Sequence, residues 1–125
     1  MNMSRPDVAY VLFGHGARDP EWAQPMQRLA SAVRAQAPHA DVRIAFLEFM
    51  SPTLTEAVEQ ALAAGARRVV IVPVFLAQGG HVRRDVPVML DALRQRHQDV
   101  TIELREALGE AQPVIDAMAG VVLHS

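Results

Sequence analysis

Short apolar runs alternate along the whole chain with longer segments in which apolar residues recur every three or four positions. The first pattern is typical of strands and the second of amphipathic helices. The predicted strands cover residues 7–14, 42–47, 68–75 and 100–104. The predicted helices that follow them cover residues 19–37, 51–64, 85–96 and 110–122. Because parallel strands need crossover connections, these repeated units predict an α/β fold with a parallel sheet.

The apolar content of the strands predicts their order in the sheet. Residues 7–14 and 68–75 are apolar almost throughout and should be central, whereas residues 42–47 and 100–104 alternate and should form the edges. The predicted order is therefore 2-1-3-4, in a flavodoxin-like, three-layer α/β/α arrangement. A chain of 125 residues accommodates this as one domain, residues 1–125. Pro73 lacks an N–H group and is expected near the end of its strand.

The helices carry further expectations about caps and buried faces. Ser51 is expected to cap the second helix, with Pro52 at its first position and Gly65 just beyond its end. The buried face of the first helix is predicted from its spacing to contain Trp22, Met26, Leu29 and Val33. The last helix is predicted to pack through Val114, Met118 and Val121.

Composition excludes several classes of function. The chain has no cysteine, so it can form neither a disulfide nor a thiolate metal site by itself. A net charge of −2 argues against nucleic-acid binding, and all 12 basic residues are arginine, which excludes a Schiff-base lysine. The start of a dinucleotide motif at Gly14 and Gly16 is not completed, because Asp19 stands at the third glycine position.

The chain is also expected to work away from membranes. No apolar run approaches the length of a bilayer span. Residues 1–7 are polar and lack the apolar region of a secretory leader, which predicts a cytoplasmic protein.

Candidate metal ligands follow three of the predicted strands. In open parallel sheets, ligands bind outside the carboxyl ends of the strands. His15 follows the first strand between two glycines, Glu48 follows the second, and His81 follows the third after Gly79 and Gly80. Taken singly, each could be an ordinary turn or loop residue. Together they form a nitrogen, nitrogen and oxygen set that suits a divalent first-row metal and leaves positions open for a substrate.

Arginines flank both histidines. Arg18 follows His15, while Arg83 and Arg84 follow His81 near the expected start of a helix. Cations are unfavourable at a helix N-terminus, so acidic groups of a substrate would offset their cost. No role is predicted for His39, His97 or His124.

Three segments of the chain resemble the signature blocks of the small sirohydrochlorin chelatases of the CbiX type. They read FGHGARDP, FLEFMSPTL and VPVFLAQGGHVRRDVP, at residues 13–20, 46–54 and 72–87. The spacing of 33 residues from His15 to Glu48, and 33 more to His81, is similar to that of the family. Relatives often have serine where this chain has Ala17, which removes a hydroxyl group but no expected ligand.

The resemblance implies a chelatase-like fold and a lyase that inserts a divalent metal into sirohydrochlorin or a related tetrapyrrole, in cobalamin or sirohaem biosynthesis. The metal would be a substrate, Co²⁺ first and Fe²⁺ or Ni²⁺ as alternatives, and no organic cofactor is implied. His15 and His81 would bind the metal and accept pyrrole protons, with Glu48 as a further ligand or charge partner. The resemblance also implies a homodimer in which two clefts face each other.

Two other functions remain open from the sequence. The same residues could serve a carrier of metal or tetrapyrrole that performs no reaction. A flavodoxin-like signalling or nucleotide-binding module would also fit the fold, although its loops lack phosphate-binding residues.

Overall fold

The computed structural model describes residues 7–124, except for the side chain of His81. Four parallel strands form one sheet in the order β2-β1-β3-β4, as predicted. Their bounds are β1 Val8–Gly14, β2 Asp41–Phe46, β3 Arg68–Pro73 and β4 Thr101–Leu104. Most of residues 1–7, on which the cytoplasmic prediction rests, lies outside the described residues.

Within residues 7–124, four helices follow the strands. They are α1 Ala23–Gln36, α2 Leu54–Ala63, α3 Gly80–Arg96 and α4 Gln112–His124. Two short 3-10 turns, Pro20–Trp22 and Leu108–Glu110, precede α1 and α4. None of the helices within residues 7–124 combines the length and apolar character needed to cross a bilayer.

The core lies on both faces of the sheet. On one face, Leu12 and Val70 pack with Met26 of α1. On the other, Phe13 and Ile71 pack with α2 and α3, including the fully buried Leu90. Successive residues of a strand point to opposite faces, so Leu12 and Phe13 enter different clusters. Burial on both faces explains why the central strands are apolar throughout.

Pro73 is the last residue of β3, as predicted, and pairs with Phe13 of β1. The next residue, Val74, donates its N–H to the carbonyl of Phe13 at 2.7 Å. The ladder between β1 and β3 is thus continued by the residue after the proline.

The start of α3 lies five residues before the predicted one. The helix begins at Gly80 because Val82 and Val86, one turn apart, are both buried against the core. Pro87, a residue typical of a first turn, lies within the helix. Arg83 and Arg84 fall near the start of α3, as expected.

The predicted cap of α2 is wrong. Thr53, not Ser51, caps the helix: its hydroxyl accepts the N–H of Glu56, whose carboxylate accepts the N–H of Thr53. The carbonyl of Pro52 accepts the N–H of Phe46 at 2.9 Å, so the chain still runs beside the end of β2 at this point. The peptide bond between Ser51 and Pro52 is cis. Gly65 has a φ of 111° just beyond α2, as predicted.

Two predicted buried faces also differ. Trp22 lies in the 3-10 turn before α1 and is 66% exposed, whereas Met26 is buried as predicted. The expected packing face of α4 is wrong, because no residue of that helix is buried and Met118 and Val121 are exposed. The reason is that α4 packs against the short turn at Leu108–Glu110, which is too small to bury a whole face of the helix.

Candidate functional site

Backbone hydrogen bonds hold the turn after β1 beside the turn after β2. The N–H of Leu47 donates to the carbonyl of Gly14 at 2.9 Å, and the N–H of Glu48 donates to the carbonyl of His15 at 3.1 Å. These bonds continue the ladder of β1 and β2 past the ends of both strands. The structure therefore brings His15 and Glu48 together at the carboxyl edge of the sheet.

Gly16 makes this close approach of the two turns possible. Its φ of 83° lies in the left-handed region that disfavours side chains. A Cβ atom at this position would overlap the carbonyl oxygen of Glu48. Only glycine therefore fits between His15 and Glu48 without displacing one turn from the other.

The imidazole of His15 lies against an aromatic ring. The ring centroids of His15 and Phe75 are 4.1 Å apart, and their planes are inclined by 31°. Phe75 is buried and also contacts the ring of Phe13, with centroids 5.7 Å apart. His15 itself is exposed. The contact with Phe75 restricts the imidazole while leaving it accessible to a ligand.

Sequence reasoning gave Phe75 no role, although a signal was present. Phe75 is an aromatic residue in the loop directly after β3, at the same edge of the sheet as His15. Its carbonyl accepts the N–H of Gly109 at 2.9 Å, which fixes the loop to the 3-10 turn before α4. A Cβ at Gly109 would overlap the backbone of Leu76, so this contact is also close.

The carboxylate of Glu48 is exposed. Within the part of the chain that the structure describes, it forms no hydrogen bond or ion pair with another side chain. An exposed carboxylate of this kind can bind a cation without first breaking an ion pair with another side chain.

The third predicted ligand, His81, is the second residue of α3, and its side chain lies outside the described residues. Among the side chains that are described, no three His, Cys, Asp or Glu groups lie close enough to hold one metal ion. The set of His15, Glu48 and His81 therefore stays a prediction, of which the structure brings the first two residues together.

The three arginines predicted to bind acidic groups lie in the loop after β1 and at the start of α3, and all are exposed. The guanidinium of Arg18 lies 4.8 Å from the ring centroid of Phe49, a cation–π contact. Phe49 follows Glu48 and has a φ of 67°, which is rare for an aromatic residue. The guanidinium of Arg83 lies 3.7 Å from a carboxylate oxygen of Glu110, and Arg84 is the next residue of α3.

A cavity of about 410 Å³ adjoins His15 on the side of α1. It lies between the turn after β1, the start of α1 and the ends of β2 and β3. It is lined by Gly14, His15, Gly16, Ala17, Trp22, Pro25, Met26, Phe46 and Val74. Apart from the imidazole of His15 and the indole N–H of Trp22, the side chains of these residues are apolar.

Comparison with known proteins gives a consistent result. The sequence profile of the CbiX family matches residues 9–124. The sirohydrochlorin cobaltochelatase of Methanocaldococcus jannaschii is 40% identical over 90 residues, which are 72% of this chain and 63% of that protein. The protein of the same name from Saccharolobus solfataricus is 35% identical over 108 residues, covering 82% of this chain and 83% of that one. The chain thus spans less than two thirds of the Methanocaldococcus relative.

Solved structures share the fold. A CbiX protein of cobalamin biosynthesis from Marinobacter aquaeolei VT8 has a TM-score of 0.79 and 34% identity, covering 93% of this chain and 94% of its own. The sirohydrochlorin chelatase SirB from Bacillus subtilis subspecies spizizenii, in complex with cobalt, has a TM-score of 0.78 and 23% identity. The match covers 94% of this chain and 50% of SirB, so the fold of this chain corresponds to half of that longer chain.

Proposed function

This chain belongs to the CbiX family, and from that premise we propose that it inserts a divalent metal ion into sirohydrochlorin, with Co²⁺ as the first candidate. The observation that carries the proposal is the junction of His15 and Glu48 at the carboxyl edge of the sheet. An imidazole and a carboxylate at an open edge suit a divalent first-row metal. The names of the relatives support sirohydrochlorin as the acceptor and cobalt as the metal.

We propose that His15, Glu48 and His81 bind the metal, which is a substrate and leaves with the product. Three protein ligands would leave coordination positions open for the macrocycle nitrogens. The contact of His15 with Phe75 supports this role, because it orients the imidazole before a metal arrives. The glycines on both sides of His15 let its turn pack closely against Met26 and Glu48, which holds the imidazole at the edge of the sheet.

Insertion exchanges two pyrrole protons for one metal ion. The metal must lose water, two macrocycle N–H bonds must break, and four bonds from metal to nitrogen form. Histidine exchanges protons near neutral pH, so His15 and His81 can accept the two protons as the metal transfers. Glu48 would balance the charge of the ion and assist one of these transfers.

We propose that Arg18, Arg83 and Arg84 bind the acidic groups on the rim of the tetrapyrrole. Guanidinium groups pair with carboxylates through two parallel hydrogen bonds. Arg83 lies at the long distance of 3.7 Å from Glu110, so a substrate carboxylate can replace this exposed partner at little cost.

We further propose that the protein is a homodimer that associates through α4. The exposed apolar residues of this helix are Ile115, Met118, Val121, Val122 and Leu123. Because a helix that is apolar on most sides is normally buried, an additional surface should cover it. A second copy is the occupant we favour, since the fold of this chain corresponds to half of the longer SirB chain.

We also propose that the protein is located in the cytoplasm, as the sequence predicts.

The function is tested by anaerobic incubation of the purified protein with sirohydrochlorin and Co²⁺, Fe²⁺ or Ni²⁺ in separate reactions. The absorption spectrum of the macrocycle reports insertion, and parallel reactions without protein provide the uncatalysed rate. We expect conversion of many equivalents of substrate, fastest with Co²⁺. Saturation at one equivalent per chain would instead identify a carrier. In a separate thermal-shift measurement, stabilisation by nucleotides but not by Co²⁺ or Ni²⁺ would favour a signalling module.

A further inference from the structure

Trp22 is the single tryptophan of the chain, and its indole is 66% exposed. It is held in the 3-10 turn Pro20–Trp22, where the carboxylate of Asp19 accepts the N–H of Glu21 at 3.0 Å. The N–H of Trp22 also donates to the carbonyl of Asp19 at 3.1 Å. The backbone therefore places this large aromatic side chain at the surface in a defined turn. Exposed aromatic residues that border a cavity often mark a binding site.

The cavity beside Trp22 has the size and chemistry of a site for an apolar group. Its volume of about 410 Å³ lies within the range of small-ligand pockets. Met26 is buried at its edge, and Gly14 leaves space for the Met26 thioether, which would lie 3.1 Å from an added Cβ. His15 is one of the lining residues, so the cavity adjoins the candidate metal site.

Charge is distributed unevenly around His15. Arg18, Arg83 and Arg84 provide cations near the candidate metal site, whereas the cavity lining contains no charged side chain. A carboxylated tetrapyrrole has the matching division, because the two faces of its conjugated ring are apolar and its acidic groups lie on the periphery. A face of the ring is stabilised against apolar side chains, whereas the peripheral carboxylates are stabilised outside the cavity, beside arginines and water.

We propose that the apolar lining at the mouth of the cavity packs against one face of the tetrapyrrole ring, with the indole of Trp22 against the conjugated surface. This inference rests on the proposed function and assigns the substrate-binding surface of the same site. Packing of two conjugated systems adds to the free energy of apolar burial. With part of one face held against Trp22, the centre of the macrocycle is positioned toward His15.

The test measures binding and turnover for Trp22→Ala and Trp22→Phe. The dissociation constant of metal-free sirohydrochlorin is obtained from its absorption spectrum, and kcat and KM are measured with Co²⁺. For Trp22→Ala we expect a dissociation constant and KM raised about tenfold, with most of the effect reversed in Trp22→Phe. As a matched control, Val88→Ala removes a 70% exposed apolar side chain from α3 and should change neither constant.

A second variant fills the cavity from another lining residue. Ala17 is half-buried in the lining, so Ala17→Leu occupies space that the ring would need. It should weaken tetrapyrrole binding and leave the thermal midpoint near that of the wild type. Unchanged binding in both Trp22→Ala and Ala17→Leu would overturn the inference, whatever the turnover. If the wild type binds sirohydrochlorin but never inserts metal, the proposed function fails, and weaker binding by Trp22→Ala still supports the cavity.

Discussion

The imidazole of His15 lies against the phenyl ring of Phe75, with centroids 4.1 Å apart and planes inclined by 31°. The two residues follow neighbouring strands, β1 and β3, and Phe75 is itself buried. The contact therefore connects a candidate metal ligand to the core of the domain. A ligand supported in this way keeps its orientation when metal and substrate exchange.

Replacement of Phe75 by leucine should lower kcat more than it changes KM for the tetrapyrrole. The leucine keeps the site apolar but removes the ring contact, so the imidazole samples more orientations. We expect kcat to fall about three- to tenfold, in line with the free energy of an aromatic pair. Phe75→Tyr keeps the ring and should restore most of the rate. A parallel fall in the thermal midpoint and the rate, with no recovery in Phe75→Tyr, would indicate a purely structural role.

Removal of the His15 imidazole should nearly abolish insertion without unfolding the protein. Loss of one positioned proton acceptor costs roughly 10²- to 10⁴-fold in rate. Because His15 is exposed, His15→Ala should leave the thermal midpoint close to the wild-type value. The matched control is His39→Ala, which removes an exposed imidazole outside the site. Normal turnover by His15→Ala would refute its assignment.

Gly16→Ala should disrupt both stability and activity. The added Cβ would overlap the carbonyl of Glu48 and force an unfavourable φ, so we expect a loss of more than about 1 kcal/mol in the free energy of unfolding. Urea denaturation measures this loss. Gly80→Ala serves as the control, since a Cβ there meets no atom within 4 Å. Equal stability of Gly16→Ala and the wild type would contradict the described geometry of the two turns.

The ion pair between Arg68 and Glu103 should make stability depend on pH in the acid range. Hydrogen bonds from Arg68, the closest at 2.6 Å, followed by the charges of Arg68 and Arg105, hold the pKa of Glu103 below its usual value of 4.5. A lowered folded-state pKa stabilises the protein above the unfolded-state value, and this contribution is lost as pH falls through the folded-state pKa. Glu103→Gln should therefore be less stable than the wild type at neutral pH, with a difference that shrinks below pH 4.5.

Urea denaturation at several pH values measures this difference, and Glu106→Gln, which changes an exposed carboxylate nearby, is the control. A difference between Glu103→Gln and the wild type that stays constant at every pH would exclude the ion pair as its source.

A charge on α4 should dissociate the proposed dimer. Val122 is 79% exposed, so Val122→Asp should leave the folded chain intact while opposing apolar association. Sedimentation should show the wild type at about twice the chain mass of 13.7 kDa and the variant near the single mass. Val88→Asp, at a similarly exposed position on α3, should remain dimeric. A wild type that is monomeric at micromolar concentrations would refute the proposal.

The sequence by itself determined the strand order and the edge of the sheet at which the candidate site lies. Strands β1 and β3 are apolar on both faces because they are central, and Pro73 is the last residue of β3, where its missing N–H is best tolerated. Burial on both faces leaves a continuous apolar run in the sequence, and the direction of parallel strands then places His15 and Glu48 at one edge.

Only the tertiary structure decided which aromatic residues contact the site and which apolar residues stay exposed. The pattern of α1 included Trp22 in the buried face, yet the 3-10 turn leaves it at the surface. Likewise, periodicity predicted an inward face for α4, although that helix packs against a short turn. Periodicity reports that residues share one side of a helix, but the identity of their neighbours depends on contacts between segments far apart in the chain. The contact between His15 and Phe75 is of this kind.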